Sequence, residues 1–192
     1  MKPRKKQREI YTAALELFAT KGFEKTTMDG IALKLSMTKG NLYLYAKNKK
    51  DLYEQAIRFA LKRWQRKVAL DIDGIESPVD QFKILCNSSF NYLKKDVSLC
   101  KIIINDPSIF PINRGDDRFA DLNNKAAKLL ETIIEKGINQ GVFRKVPILE
   151  TVRYLYSIYI MFIIQTYIHG DESNSSALFD IAVDVNLNGL LI

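Results

Sequence analysis

The sequence has few of the residues from which disulfide frameworks, metal sites and catalytic sets are built. Its 192 residues include two cysteines, Cys86 and Cys100, and one histidine, His169. Two cysteines make neither a disulfide framework nor a metal-binding set, and a lone histidine cannot make a metal site. Glycine-rich phosphate loops, Ser/His/Asp sets and zinc-ligand spacings are also missing from the sequence. We therefore predict a protein that has no cofactor, binds no metal and is not an enzyme.

These three residues have simpler interpretations. The cysteines are predicted to be small buried hydrophobes, with a thiol redox switch as the alternative. His169 is predicted to lie at the end of the eighth helix, where a cation suits the helix dipole.

The sequence also lacks a long unbroken hydrophobic run. The longest apolar run is Tyr154–Ile164, and Ser157 interrupts it. It is shorter than the roughly 20 apolar residues that a bilayer-spanning helix needs. The basic N-terminus is not followed by an apolar segment of the secretory type. We therefore predict a soluble, cytoplasmic protein with no membrane partner, in which the helix around this run is buried on all sides.

Positive charge is plentiful, and it is concentrated at one end. The chain carries +7, but residues 1–50 hold twelve Lys and Arg against four Asp and Glu, which gives +8. The rest of the chain is close to neutral. A basic cluster of this kind indicates a polyanionic partner, either nucleic acid or a membrane surface. The alternative is an ordinary solubilising face.

Helical periodicity runs through the whole chain and little strand signal is present, so the predicted fold is all-α with about nine helices. We predict helices at 4–20, in a short pair around the turn Ser36–Thr38, and at 51–70, 78–95, 97–105, 116–141, 147–169 and 177–191. Residues 106–115 are predicted to be a loop and 170–176 a polar link. Thr26 or Thr27 is the predicted cap of the second helix, and Thr38 that of the third.

The short helical pair follows the helix-turn-helix plan, in which the second helix lies in the DNA major groove with its N-terminal residues at the base edges. Asn41 suits adenine and Lys39 suits guanine or phosphate, while Gly40 lets the backbone approach closely. Tyr43 and Tyr45 offer hydroxyls to phosphates and ring faces to thymine methyl groups. Lys49 and Lys50 can neutralise phosphates, and a basic arm is predicted at Lys2, Arg4, Lys5 and Lys6. Structural roles for the tyrosines and solvated roles for the lysines are the alternatives.

Residues 4–64 resemble the DNA-binding domain of the TetR family of transcriptional regulators. The matching residues are Ala14, Leu17, Phe18, Gly22, Phe23, Thr26, Thr27, Met28, Ile31, Ala32, Thr38, Lys39, Gly40, Asn41, Leu42, Tyr43, Tyr45, Lys49 and Leu52. The resemblance implies a helix-turn-helix motif at 27–46. It implies contacts with DNA for Thr27, Thr38, Lys39, Asn41, Tyr43, Tyr45 and Lys49. The chain departs from the family pattern at Ser36 in place of the turn glycine, at Leu44 in place of a polar contact residue, and at Ala46 in place of phenylalanine.

The remaining residues, 65–192, are predicted to form a ligand-binding and dimerisation domain. Helices eight and nine carry more apolar surface than one small domain needs, so they are predicted to pair with a second copy. The resemblance implies a small-molecule pocket in this domain. The candidate lining residues are Trp64, Phe82, Phe90, Phe110, Phe119, Tyr154, Tyr159 and Phe162. For each of them a plain core role is the alternative.

The sequence thus predicts a dimeric regulator that binds a palindromic operator in double-stranded DNA. We expect a repressor that a small apolar or aromatic effector releases from DNA. The alternatives are a regulator or structural DNA binder without a ligand, and a membrane-surface protein that uses the basic arm and apolar helices.

Overall fold

The structure, a computed structural model, describes residues 3–110, 117–168 and 172–192, without the side chains of residues 3, 4, 168 and 172–175. Lys2 and the side chain of Arg4 in the predicted basic arm, His169, and residues 111–115 of the predicted loop therefore lie outside the described residues or side chains. Nine α-helices are described: α1 Pro3–Lys25, α2 Met28–Lys34, α3 Lys39–Tyr43, α4 Lys49–Ile72, α5 Pro78–Lys95, α6 Val97–Asn105, α7 Ala120–Asn139, α8 Ile148–Ile163 and α9 Glu172–Leu190. The predicted all-α class is confirmed.

Several helix ends differ from the prediction. Helix α1 continues to Lys25, but Gly22 breaks it with a φ of 78° and a ψ of 165°, a conformation that glycine adopts without a Cβ clash. Helix α7 begins at Ala120 instead of residue 116. Helix α9 begins at Glu172, so the predicted polar link is wrong from that residue onward. A π-helical turn, Ile164–Ile168, follows α8.

The described residues form two compact units. The N-terminal unit comprises the chain up to Arg63 together with Asp96–Asp106, and the C-terminal unit comprises Trp64–Lys95 and the described part of Pro107–Ile192. The sequence predicts a boundary at residue 64 with α6 in the C-terminal domain, whereas α6 packs against α1 in the N-terminal unit.

The N-terminal unit is built on an apolar core with one aromatic cluster. Its fully buried side chains include Ile10, Phe18, Ile31, Leu42, Leu52 and Ile57. Phe23, which follows the break at Gly22, turns back so that its ring lies 5.9 Å from that of Phe18 and 5.1 Å from that of Tyr53. The Tyr53 hydroxyl donates to Asp106 at 3.1 Å, which joins the end of α6 to α4. This core fixes α2 and α3 on one side of α1.

The C-terminal unit has its own core, with side chains from α4, α5, α7, α8 and α9. Its buried members include Ile72, Phe82, Ile134, Phe143, Leu155 and Leu187. Gly137 of α7 has no room for a side chain, because an added Cβ would lie 2.0 Å from Cδ2 of Phe143. The N–H groups of Val142 and Phe143 both donate to the Gly137 carbonyl, at 2.9 and 3.0 Å. This glycine therefore allows the end of α7 to pack on the ring of Phe143.

The prediction that α8 is buried on all sides is wrong. The helical segment Ile148–Tyr167 is long and apolar enough to cross a membrane by length and composition, yet 22% of it is buried within the single chain. Val152, Leu155, Phe162 and Ile163 face inward, whereas Tyr154 and Met161 are exposed. An apolar helix shows the same sequence pattern whether its own chain or another molecule covers it, so the pattern alone does not reveal this exposure.

Candidate nucleic-acid interface

Two threonine caps position the helical pair. Thr27 Oγ1 accepts a hydrogen bond from the Gly30 N–H at 3.0 Å at the start of α2. Thr38 Oγ1 accepts from the Asn41 N–H at 3.3 Å at the start of α3. Each cap satisfies one of the backbone donors that a helix N-terminus leaves without an intrahelical partner. Thr38 was the predicted cap of α3, and of the two candidates for α2 Thr27 is the cap, since Thr26 is buried and donates to the Gly22 carbonyl.

The turn between these helices tolerates the serine that replaces the family's glycine. Ser36 has a φ of 50° and is the only non-glycine residue with positive φ among the described residues. The turn is closed by two backbone hydrogen bonds of 3.0 Å, from Ser36 N–H to the Leu33 carbonyl and from Met37 N–H to the Ala32 carbonyl. A left-handed backbone costs an L-residue about 1–2 kcal/mol. The surrounding helices therefore hold this turn against a local preference.

Helix α3 has one buried side and one exposed side. Leu42 and Ala46 are buried, which fastens the helix to the core. The exposed residues are Thr38, Lys39, Gly40, Asn41, Tyr43 and Leu44, whereas Tyr45 is half-buried. Gly40 is not required by packing, because the nearest atom to an added Cβ is Thr38 Oγ1 at 4.0 Å. The space over Gly40 is therefore open to an outside molecule.

An acidic residue lies beside the N-terminus of α3. Asp29 Oδ2 is 2.8 Å from Lys39 Nζ, and both side chains are exposed, by 67% and 46%. The hydrogen bond with Asp29 raises the pKa of the Lys39 ammonium above its ordinary value. Asp29 is not among the site residues predicted from the sequence. Its signal is that Asp29 is one of only four acids in the basic first fifty residues.

Lys49 occupies a different place from the other predicted DNA-contacting residues. Its ammonium donates to the carbonyls of Phe23 at 2.9 Å and Glu24 at 3.3 Å, and it lies 4.3 Å from the centroid of the Phe23 ring. Lys49 therefore fastens the start of α4 to the end of α1. Its neighbours Lys47 and Lys50 are exposed.

The described part of the basic arm is helical. Lys5 and Lys6 both lie in α1, and Lys6 Nζ is 3.4 Å from Glu9 Oε2. These two residues of the predicted basic arm therefore belong to the first helix.

The aromatic side chains of the C-terminal unit form two groups. Trp64 stacks on Tyr92 at 5.6 Å and meets Phe110 edge-on at 6.2 Å. The second group surrounds Phe179 of α9, which the sequence analysis missed. Ring centroids lie within 6.5 Å of Phe179 for Phe90, Tyr159 and Phe162. Phe82 belongs to the apolar core and Phe119 is fully buried, whereas Tyr154 is exposed and lines no interior.

Three buried polar groups lie in the C-terminal unit, and two of them, on Tyr159 and Tyr167, belong to the second aromatic group. The Tyr167 hydroxyl donates to the Phe90 carbonyl at 2.8 Å. Burial raises the pKa of the Tyr159 hydroxyl well above its ordinary value, so this group is a neutral donor. Thr166 Oγ1 is buried without a hydrogen-bond partner among the described residues. Such an unsatisfied buried hydroxyl is costly unless another molecule pairs with it.

Cys86 also lies in the C-terminal unit, and its thiol is half-buried. Burial raises its pKa to about 12. The thiolate is the reactive species, so this environment disfavours the thiol-switch alternative at Cys86.

An exposed apolar stripe runs along α9. Leu178, Ile181 and Val185 are all more than half exposed, and their spacing of three and four residues places them on one helix face. Helix α8 contacts α9. It carries exposed Tyr154 and Met161, which are two helical turns apart. Inward residues of α9, Phe179 and Leu187, are buried. Contiguous exposed apolar surface of this kind marks an interaction site.

Comparison with known proteins identifies the N-terminal unit. Residues 10–56 match the model of the bacterial regulatory proteins of the tetR family. An uncharacterised HTH-type transcriptional regulator, YfiR of Bacillus subtilis, is 25% identical over 176 residues, which cover 89% of this chain and 84% of that one. IcaR of Staphylococcus aureus, the HTH-type negative transcriptional regulator of the biofilm operon icaADBC, is 25% identical over 62% of this chain and 64% of its own length.

A solved structure extends the similarity of fold to nearly the whole chain. The transcriptional regulator FadR of Bacillus subtilis, in complex with stearoyl-CoA, superposes with a TM-score of 0.78 at 17% identity and covers 95% of this chain and 98% of that one. The family model, the curated relatives and this shared fold agree with the capped helical pair described above. This chain therefore carries, at residues 10–56, the DNA-binding domain of the bacterial regulatory proteins of the tetR family, and nearly its whole length shares the fold of a solved transcriptional regulator.

Proposed function

We propose that this regulator acts in the cytoplasm as a homodimeric repressor. It binds a palindromic operator in double-stranded DNA and leaves it when a small apolar or aromatic molecule binds the C-terminal unit. The observation that carries the DNA-binding part is the exposed polar end of α3, where Thr38 caps a helix whose Lys39, Gly40 and Asn41 face solvent. These residues suit guanine, close backbone approach and adenine.

Base contacts are assigned to Lys39 and Asn41 in this proposal, and phosphate contacts to other groups. Thr27 and Thr38, with the free N–H groups at their helix ends, suit phosphate oxygens. The hydroxyls of Tyr43 and Tyr45 suit phosphate as well. Lys50 and Lys47 are the exposed cations next to the motif. Lys49 acts through the fold, because its ammonium is held by α1.

Dimerisation through α8 and α9 is supported by the stripe of Leu178, Ile181 and Val185, which the single chain leaves in water. Burying each such side chain is worth about 1.5–3 kcal/mol. A two-fold axis through this face makes a four-helix arrangement, and a two-fold dimer reads half-sites about 34 Å apart, or a multiple of that distance.

Release by a ligand is supported by the aromatic group around Phe179 and by the buried Thr166 hydroxyl, which has no hydrogen-bond partner within the described part of the chain. An apolar wall with a few polar groups is usual for small-molecule sites. FadR, which shares the fold, holds stearoyl-CoA. Because α4 contributes residues to both units, we assign it the coupling, commonly about 1–3 kcal/mol between two ligands. Repression is proposed by analogy with IcaR, a negative transcriptional regulator.

The test is selection of bound duplexes from a random pool by the full chain, followed by a ligand screen on the complex. The proposal predicts one enriched palindrome. A protein that coats DNA without preference would enrich none, which would contradict operator binding. A compound that raises the melting temperature but leaves operator affinity unchanged contradicts release by that compound, and it favours a regulator without an effector.

A further inference from the structure

The ion pair between Asp29 and Lys39 joins the two helices of the motif at their N-terminal ends. Asp29 lies in the first turn of α2, two residues after its cap Thr27, and Lys39 is the first residue of α3, directly after its cap Thr38. The carboxylate and ammonium are 2.8 Å apart, and both are exposed to solvent. Opposite charges are thus presented side by side at the end of α3 that the proposed function places at the base edges.

Folding does not require this pair. The hydroxyls of Thr27 and Thr38 already cap the two helices, and buried Ile31 and Leu42 fasten them to the core. Exposed ion pairs contribute little to stability. A carboxylate in a basic surface also weakens attraction to phosphate. Asp29 therefore lowers general affinity for DNA, while its place in the first turn of α2 gives the fold only a small gain, about 0.3–1 kcal/mol. Such a balance is expected of a residue that supplies specificity.

The chemistry of the ion pair matches the major-groove edge of one kind of base pair. In the major groove a G·C pair presents the acceptors N7 and O6 of guanine next to the N4 amino donor of cytosine. An ammonium beside a carboxylate is the complement of that row. In the same orientation an A·T pair would place the adenine N6 donor against the ammonium and the thymine O4 acceptor against the carboxylate, so the pair would be rejected.

We propose that Asp29 is a specificity-determining residue that acts with Lys39 on a single G·C base pair in each half-site. Lys39 donates to guanine, and Asp29 accepts a hydrogen bond from the cytosine N4 amino group. In the free protein the two side chains satisfy each other. The inference rests on the proposed function, because it requires the N-terminus of α3 to lie at the base edges.

The experiment uses the duplex that the full-length wild-type protein selects. The G·C pair is located as the position at which Lys39→Ala loses its preference. At that position cytosine is replaced by 2-pyrimidinone, which lacks only the N4 amino group and leaves guanine in place. Fluorescence anisotropy then gives the dissociation constants of the wild type and of Asp29→Ala on both duplexes.

We expect the replacement to weaken binding of the wild type by about 5- to 50-fold, the range of one good base contact. For Asp29→Ala the same replacement should change affinity by less than about twofold. Glu16→Ala is the matched control, because Glu16 pairs with Lys34 at 2.8 Å in the same unit and its side chain is 45% exposed. It removes the same charge and should keep the wild-type penalty.

Equal penalties in the wild type and in Asp29→Ala would overturn the inference, and so would a uniform gain in affinity of Asp29→Ala for every duplex. Asp29→Leu removes the carboxylate with a different side chain, and circular dichroism confirms that each variant is folded. If the wild type selects no sequence, the proposed function itself fails. If it selects a palindrome that Asp29→Ala selects equally, only the role of Asp29 fails.

Discussion

The exposed end of α3 and the exposed stripe of α9 differ in chemistry although neither is used by the fold of its own unit. The end of α3 carries Lys39, Gly40 and Asn41, all polar or without a side chain. The stripe of α9 carries Leu178, Ile181 and Val185, all apolar. A polar surface at a helix N-terminus suits an anionic partner, whereas an apolar surface suits a partner that excludes water. The two regions therefore point to different kinds of molecule.

The largest effect is expected for substitutions in the apolar stripe of α9. Ile181→Glu combined with Val185→Glu, at positions 59% and 63% exposed, should weaken self-association by at least about a hundredfold, because two carboxylates would be buried without partners. Sedimentation velocity over a range of concentrations measures this.

Leu70→Glu is the control for the stripe, since Leu70 is 58% exposed on α4 and its replacement should leave association unchanged. Unchanged association of the double variant would contradict the α8–α9 interface. If the double variant instead loses binding to lipid vesicles and keeps its self-association, the stripe binds a membrane.

Alanine substitutions at two glycines test whether the end of α3 is open surface and the end of α7 is packed interior. Gly137→Ala should lower the free energy of unfolding by about 1–3 kcal/mol, since its Cβ would overlap the ring of Phe143. Gly40→Ala has open space around its Cβ and should leave stability unchanged or raise it by up to about 1 kcal/mol. It should nevertheless weaken DNA binding. Urea denaturation of both variants is the measurement, and a destabilised Gly40→Ala with intact Gly137→Ala would reverse the assignment.

Lys49 and Lys50 are adjacent in the chain but have different assigned roles. Lys49 stabilises the fold, whereas Lys50 contacts phosphate. Lys49→Ala should lower the free energy of unfolding by about 1–2 kcal/mol, because its ammonium donates to the Phe23 and Glu24 carbonyls. Lys50→Ala should leave stability unchanged but lower the slope of log affinity against log salt by about one. If Lys49→Ala lowers the salt slope as much as Lys50→Ala does, its ammonium leaves α1 to bind phosphate.

The smallest effect concerns Cys86 in the interior of the C-terminal unit. Its folded pKa of about 12 exceeds the ordinary value of 9.0, so the thiol stays protonated through the neutral range and the associated stability is lost only as pH rises from about 9 towards 12. Alkylation of native protein at pH 8 should therefore be slow at Cys86 and rapid after unfolding, as mass spectrometry of the labelled peptide would report. Rapid labelling of native Cys86 would revive the redox switch.

Local signals explain why so much of the N-terminal unit is predictable from the sequence. The caps Thr27 and Thr38 and the inward residues Leu42 and Ala46 depend on neighbours within one or two turns. The turn at Ser36 is predictable from spacing even without glycine. The ends of α7 and α9 are not, because helix termini depend on packing as well as on local propensity.

Long-range partners explain what the sequence leaves undetermined. The carbonyls that hold Lys49 belong to residues about 25 positions earlier in the chain, and Asp29 meets Lys39 across the turn between two helices. No periodicity reports such pairings. The exposure of α8 is equally hidden, because apolar residues in sequence do not state which molecule covers them. Phe179 was not predicted as a pocket residue, because Leu178 beside it and Ile181 two residues later lie on the exposed stripe.

The most direct test of the account is an anisotropy titration of the selected operator and a scrambled duplex with wild type and Asn41→Ala. The wild type should prefer the operator by about a thousandfold or more. Asn41→Ala should lose at least about tenfold of that preference and bind the scrambled duplex as the wild type does. Full preference retained by Asn41→Ala would contradict the assignment of α3 as the helix that reads the bases.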